Sequence, residues 1–194
     1  MDIDTLASAL YEDLEGWIVG ARILNEELVL EVTCDDWQGK GPRRHFEIFC
    51  TAADEWRVSV GAGAAGGVEW TEDHRVLLEH RGAQGALYFS SAPARPEEVF
   101  YTAHAILTAE FAGWRGPAHF LNGTPDVFRR HLEGGIGLLA RGPVVVLEKL
   151  AADLQPLLNV NVVHSHQAKP DRKALVVGTN WVVCKAVRVQ ERFS

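Results

Sequence analysis

Apolar residues alternate with polar ones along much of the first ninety positions, and this spacing predicts β-strands with one buried face. The clearest case is residues 27–34, where Leu28, Leu30 and Val32 occupy every second position. Residues 17–24 predict the hairpin partner of this strand, because only two residues separate the segments. The chain is therefore expected to begin its sheet with an antiparallel hairpin.

Two further hairpins are predicted downstream, residues 45–51 with 55–60 and residues 75–80 with 86–90. Successive short hairpins are typical of an antiparallel meander. Ahead of them, apolar residues recur at helical spacing between positions 3 and 14. We expect this N-terminal helix to lie on one face of the meander, because both elements must bury an apolar side.

Beyond residue 92 the period becomes helical, with short strands between the helices and after them. The most distinct local signature predicts a helix that begins at Pro125. Thr124 before it is a typical N-cap residue, and Gly134 is a typical residue just past the end of a helix. The predicted helices fall in residues 96–113, 124–134 and 142–154, and the predicted strands in residues 136–141, 159–166, 173–177 and 181–190.

Together these elements predict an α+β fold. It consists of an antiparallel β-meander with flanking helices, followed by a smaller C-terminal part made of helices and antiparallel sheet. We assign residues 1–123 to the sheet with its N-terminal helix and long covering helix. We expect residues 124–194 to form a smaller subdomain that packs on the first.

The composition is that of an ordinary globular protein. Of the 194 residues, 47% are apolar and 23% are charged, so the chain can bury a sizeable core. It contains no run of about 18 uncharged apolar residues, and its first residues lack the basic and apolar segments of a signal peptide. We therefore expect a cytoplasmic protein with no membrane partner.

Charge is distributed unevenly along the chain. The first 98 residues hold 19 acidic and 8 basic side chains, whereas residues 99–194 hold 7 acidic and 11 basic ones. An acidic first half argues against a nucleic-acid partner, since phosphate binding needs a basic surface. We expect the basic tail, with Arg172 and Lys173, to dock on the acidic half; an outside acidic partner and protection of a sheet edge are the alternatives. Arginine outnumbers lysine 14 to 5, a ratio typical of GC-rich bacterial genomes.

The three cysteines continue the apolar face of predicted strands. Cys34, Cys50 and Cys184 each occupy a position where a small apolar side chain fits, and none belongs to a C-x-x-C pair. We expect three buried thiols without a catalytic role.

A glycine-rich segment, residues 61–66, matches the spacing of a dinucleotide-binding fingerprint, and Glu79 follows at a fitting distance. That fingerprint requires a helix that returns the chain to a parallel strand. Too few residues follow Gly66 for such a crossover. We expect a flexible loop that binds no nucleotide, and we predict no cofactor.

Two histidines, His164 and His166, alternate in a predicted strand, so both point to one face and could chelate a metal ion. The run resembles the first cupin motif in part, but Asp171 stands where that motif has glutamate and no histidine follows Gly178. If residues 159–166 pair with residues 173–177, aliphatic Ala174 and Val176 lie opposite the histidines. We therefore favour no metal site and keep His164 and His166 as the candidates for one.

The densest mixture of aromatic, basic and amide side chains lies in residues 111–123, between two predicted helices. Loops held by rigid elements often carry binding residues, and Trp114, Arg115, His119 and Asn122 are the candidates here. The alternative is structural: aromatic and aliphatic side chains of the loop, including Trp114, pin it to the core.

No motif for a catalytic nucleophile, a catalytic metal or a phosphate loop is present, and no catalytic residue can be named. The leading hypothesis is a non-enzymatic binding or protein-interaction module whose partner, a protein or a small molecule, is unknown. The alternative is a small enzyme, with or without a metal, that uses histidines distant in sequence. A cleft that gathers three or more histidines with a carboxylate favours the enzyme, whereas an exposed apolar surface without such a cluster favours the binding module.

Overall fold

The fold combines antiparallel sheets with helices, so the predicted α+β class is confirmed. A computed structural model of the chain describes Ile3, Leu6, Ala7 and residues 16–35, 43–61, 67–166 and 171–192. The strands in this part of the chain are β1 (Trp17–Leu24), β2 (Glu27–Cys34), β3 (Arg44–Thr51), β4 (Glu55–Arg57), β5 (Val68–Thr71), β6 (Gln84–Phe89), β7 (Gly137–Pro143), β8 (Val160–His166), β9 (Lys173–Val177), β10 (Asn180–Cys184) and β11 (Ala186–Arg192). The helices whose bounds the described residues give are α1 (Leu78–Arg81), α2 (Pro96–Phe111), α3 (Pro125–Glu133) and α4 (Val144–Leu154).

The chain divides into two compact units. The first comprises residues 1–77 and 171–194, and the second comprises residues 78–170. These bounds differ from the predicted division at residue 123. The reason is that β9, β10 and β11 pair with β5, β4 and β3, so the last strands belong with the first part of the chain.

The first unit contains two four-stranded antiparallel sheets that share an apolar core. Their strand orders are β1-β2-β3-β11 and β4-β10-β9-β5. The predicted β1–β2 hairpin is confirmed, and Asn25 and Glu26 form its turn with φ angles of 49° and 68°. The alternating apolar residues of β2 and β3 face this core, and all three cysteines are buried in it, as predicted. Ile3, Leu6 and Ala7 are helical and Leu6 is buried in the same core, while the rest of the predicted N-terminal helix lies outside the described residues.

The second predicted hairpin is wrong. Strand β4 does not pair back onto β3 but joins β10 in the other sheet. The chain turns away at Ala52, which has a φ of 50°, and the Asp54 amide then donates to the Val183 carbonyl oxygen at 2.9 Å. The glycine-rich residues 62–66 lie outside the described part, and the chain resumes in β5, a strand that begins at Val68.

Basic residues of the C-terminal tail pair with acidic residues from the first 77 positions, as the charge distribution predicts. Nitrogen–oxygen distances are 2.6 Å for Arg172 with Asp54, 2.6 Å for Lys173 with Glu72, 3.6 Å for Arg188 with Glu27 and 2.7 Å for Arg192 with Glu47.

The second unit places its longer helices against a three-stranded antiparallel sheet of order β7-β6-β8. Helix α2 begins at Pro96 with Glu97 and Glu98 in its first turn, and it ends where Ala112 adopts a left-handed conformation. Its buried residues, with those of α3 and α4, form the core of this unit against Leu87 and Phe89 of β6. No described helix is both long and apolar enough to cross a lipid bilayer.

The predicted strand at residues 75–80 is wrong, because this segment is helical. A 3-10 turn at Arg75–Leu77 leads into α1. His74 starts the turn: its carbonyl oxygen accepts from the Leu77 amide at 2.9 Å, and its Nδ1 accepts from the Val76 amide at 3.3 Å. This local hydrogen bonding overrides the alternation of apolar residues in the sequence.

Candidate functional site

The loop after α2 is fixed to the second unit by aromatic packing and backbone hydrogen bonds. The ring of Phe120 stacks on that of Phe111 with centroids 4.2 Å apart. Leu121 bridges to Ala140 of β7, and the Asn122 amide donates to the Leu139 carbonyl oxygen at 3.0 Å. These contacts match the structural alternative for the loop.

Two of the predicted binding residues, Arg115 and His119, converge on a third residue, Glu79 of α1. The Arg115 side chain is only 4% exposed, and its Nε lies 2.8 Å from Glu79 Oε2. His119 Nε2 lies 3.2 and 3.1 Å from the two carboxylate oxygens of Glu79. Sequence reasoning considered Glu79 only as part of the glycine fingerprint and therefore missed this cluster.

The other two candidates have different surroundings. The Trp114 side chain is half-buried, and its backbone amide donates to the Phe111 carbonyl oxygen at 2.9 Å. Asn122 Nδ2 donates to the Leu138 carbonyl oxygen at 3.2 Å, which ties the loop to β7. The structure thus brings together Arg115 and His119 but does not bring Trp114 or Asn122 into their cluster.

An open groove of about 470 Å³ lies between α2 and the following loop. Small and apolar residues dominate its wall, and His104 is its titratable group among the described residues. None of the four predicted binding residues lines it. Its lining consists of Phe100, His104, Gly116, Pro117, Ala118, Leu121, Gly123, Thr124 and Pro125.

The cluster of charged side chains holds one wall of this groove. Gly116, Pro117 and Ala118 of that wall lie between Arg115 and His119, so both ends of the segment contact the same Glu79 carboxylate. Within it, the His119 amide donates to the Gly116 carbonyl oxygen at 3.0 Å and closes a 3-10 turn. The wall is therefore built from backbone and small side chains, and the residues that flank it contact Glu79.

A glycine is required at the far end of the groove. Gly123 has a φ of 107°, a conformation that other residues rarely adopt. A β-carbon at this position would lie 2.7 Å from a methyl carbon of Val127 in α3. Gly123 therefore lets the chain pass close to α3 while it lines the groove.

The first unit contains a cavity of different character, with a volume of about 340 Å³. Charged and polar side chains contribute much of its surface. Its lining consists of Val19, Glu31, Val32, His45, Phe46, Glu47 and Arg192.

Glu47 is the central charge of this cavity and is almost fully buried. Its carboxylate forms ion pairs with Arg22 and, at 2.7 Å, with Arg192, and Arg22 also contacts Glu31. Burial raises the pKa of Glu47, but the hydrogen bonds from Arg22 and Arg192 outweigh it and hold the pKa below its ordinary value. Two carboxylates and two guanidinium groups thus neutralise one another here.

A bulge in β1 makes room for this charge cluster. The register between β1 and β2 shifts between Ile18 and Gly20, which leaves Val19 as the extra residue at the cavity. A β-carbon on Gly20 would lie 2.7 Å from Glu31 Oε2, so glycine leaves the space that the Glu31 carboxylate occupies.

The expected neighbours of His164 and His166 are wrong. Strand β8 pairs with β6, so His164 lies opposite Gly85 and His166 opposite Gln84. The strand that holds Ala174 and Val176, β9, pairs with β5 and β10 in the other unit.

The two histidines kept as candidate metal ligands are not shown in a cluster. His164 Nε2 lies 3.8 Å from Glu148 Oε1, and both side chains are exposed. The side chain of His166 lies outside the described part. Within the described ranges, no three or more histidine, cysteine, aspartate or glutamate side chains come close enough together to hold a metal ion.

No family model, curated protein or solved structure matches the chain.

Proposed function

We propose that this protein is a non-enzymatic binding module that takes a small, mainly apolar molecule in the groove between α2 and the following loop. The observation that carries the proposal is the groove itself. Its volume of about 470 Å³ falls in the range typical of small-molecule sites, and its lining is mostly apolar with a few polar groups.

We also propose that the protein is cytoplasmic, because three buried cysteine side chains are typical of a reducing compartment.

The chemistry of the lining favours binding over reaction. General acid–base catalysis uses titratable groups placed within hydrogen-bond reach of the reacting atoms and often works through a pair of them. Among the described residues that line the groove, His104 is the titratable one, and its Nδ1 lies 3.5 Å from Thr108 Oγ1. A single imidazole can orient a ligand without transforming it.

The arrangement of the lining also suggests the ligand's shape. Phe100 and Leu121 provide apolar contact area, and the Phe100 ring is itself braced by Phe128 with centroids 5.6 Å apart. His104 and Thr124 provide polar atoms at the surface of the groove. The proposed ligand therefore has an apolar body and one polar group.

Titration with the apolar dye 8-anilinonaphthalene-1-sulfonate tests this proposal. Ala118 lines the groove, so Ala118→Trp should fill it and weaken dye binding by roughly tenfold or more, because the added side chain occupies the ligand's volume. The matched control is Ala152→Trp, on the exposed side of α4 and away from the groove lining. Equal dye affinity in the two variants would contradict the proposed site.

A further inference from the structure

Strand β8 is an edge of the sheet in the second unit. It pairs with β6 on one side only. On its other side, no backbone hydrogen bond joins it to another described residue. Within that part of the chain its outward amide and carbonyl groups have no strand partner, and an edge of this kind is where sheets recruit a further strand.

The other edge strands carry features that discourage such pairing. Proteins usually protect an edge with charges, with proline or by covering it. Strand β7, at the opposite edge of the same sheet, contains Arg141 and Pro143 and is bridged by Leu121 of the groove loop. In the first unit the edge strands β1, β4, β5 and β11 all carry charged residues.

By contrast, β8 reads Val-Asn-Val-Val-His-Ser-His and contains no lysine, arginine, aspartate, glutamate or proline. At its centre, Val163 is 45% exposed although it is apolar. Tyr88 of the adjacent β6 is another exposed large residue, and its strand partner is Asn161. An uncharged edge with apolar residues exposed beside it has the features of a pairing surface rather than of a protected edge.

We propose that two copies of this chain pair through β8 in antiparallel orientation and form one continuous six-stranded sheet. The sequence of β8 favours a second copy as the partner. A two-fold axis through Val163, the middle residue of the seven-residue strand, lets every residue of β8 pair. In that register Asn161 lies opposite Ser165 of the partner, so polar side chains meet, and no formal charges meet while the histidines are neutral.

The molar mass of the protein in solution, measured at several protein concentrations, tests this pairing. Light scattering coupled to gel filtration should give a dimer for the unmodified chain at about 100 µM, within the association range of modest interfaces. Val163→Lys places two like charges directly opposite each other across the axis, and it should raise the dissociation constant at least roughly tenfold. The matched control is Ile136→Lys, which replaces an exposed apolar residue before β7, away from β8, and should leave the dimer intact.

A cross-linking experiment fixes the register. In Val163→Cys, the two introduced thiols face each other, and oxidised glutathione should convert them into one disulfide while it is itself reduced to two thiols. The native cysteines are buried and give the same background in the control, Ile136→Cys. A monomer at every concentration, equal dissociation in both lysine variants, or equal covalent dimer in both cysteine variants would each overturn the proposal.

Discussion

The groove of the second unit and the cavity lined by Glu47 in the first unit use charged residues in opposite ways. In the first unit, Glu47 and Arg192 form the surface of the cavity and satisfy each other there. In the second unit, Glu79 and Arg115 do not line the groove, and their ion pair anchors one end of a wall made of small residues. Charged groups that are already paired at a cavity surface bind a ligand weakly, because the ligand must compete with the existing ion pairs. The apolar groove leaves its contact area free for a ligand.

The ion pairs of the two units also differ in how deeply they are buried. The Arg115 side chain is 4% exposed, whereas Arg22 and Arg192 are 35% and 61% exposed. A cation that loses its carboxylate can recover hydration if water reaches it, but a buried one cannot. Removal of the carboxylate should therefore lower the free energy of unfolding more in the second unit than in the first.

The largest effect is expected for Glu79→Ala. This change leaves the buried Arg115 guanidinium without its carboxylate, so the free energy of unfolding should fall by about 3 kcal/mol. The groove wall also loses its support, so dye affinity should fall as well. Urea denaturation and dye titration measure the two effects, with the exposed Glu133→Ala as control. A loss below about 0.5 kcal/mol would mean that the ion pair does not hold the wall.

A smaller effect is expected for Glu47→Ala. Two arginines lose a partner, but both reach solvent, so the loss in the free energy of unfolding should be about 2 kcal/mol. The control is Glu69→Ala in β5, where the side chain is exposed. If Glu47→Ala destabilised the protein more than Glu79→Ala, the proposed difference between the two units would be reversed.

The pH dependence of stability should report on Glu47 separately. Its folded-state pKa is lowered below the ordinary value of 4.5, so the unfolded chain takes up the proton first as the pH falls. The stabilisation is therefore complete above pH 4.5 and is lost as the pH falls below it. In Glu47→Gln, unfolding free energies measured between about pH 6 and pH 3 should decline less steeply than in the unmodified protein. Parallel curves would show that Glu47 makes no such contribution.

The smallest effect is expected for His164→Ala. Its contact with Glu148 is 3.8 Å long and joins two exposed side chains, so the free energy of unfolding should change by less than about 0.5 kcal/mol.

We also predict that His164 and His166 bind no stoichiometric metal. Elemental analysis of tag-free protein is the measurement, and one ion per chain that disappears in the variant would refute this prediction.

Elements defined by local signals could be predicted from the sequence. The β1–β2 hairpin depends on a short turn, and α3 depends on Thr124, Pro125 and Gly134 at its ends. Pairings between distant strands could not be predicted. Strand β4 finds its partner in β10, and β8 finds β6 rather than the next strand in sequence, because tertiary packing decides among many sterically acceptable partners.

The candidate site shows the same limit. Sequence reasoning selected a loop that contributes to the groove because it combines aromatic and polar residues, but the side chains that it named, such as Trp114, do not line the groove. The groove wall is instead made from Gly116, Pro117 and Ala118, residues without a chemical signature. Glu79 was missed as a support because it is separated from His119 by 40 positions, and no spacing rule links such residues.

The pairing of β5 with β9 determines the order in which the two units can fold during synthesis. Thr71 lies opposite Ala174, so the chain leaves the first unit and returns to it at adjacent positions of one sheet. Residues 78–170 are in this sense an insertion between two neighbouring strands. On the ribosome the inserted unit is complete before β9, β10 and β11 emerge, whereas the first unit must wait for these strands. We therefore expect the second unit to fold first during translation, although the first unit begins the chain.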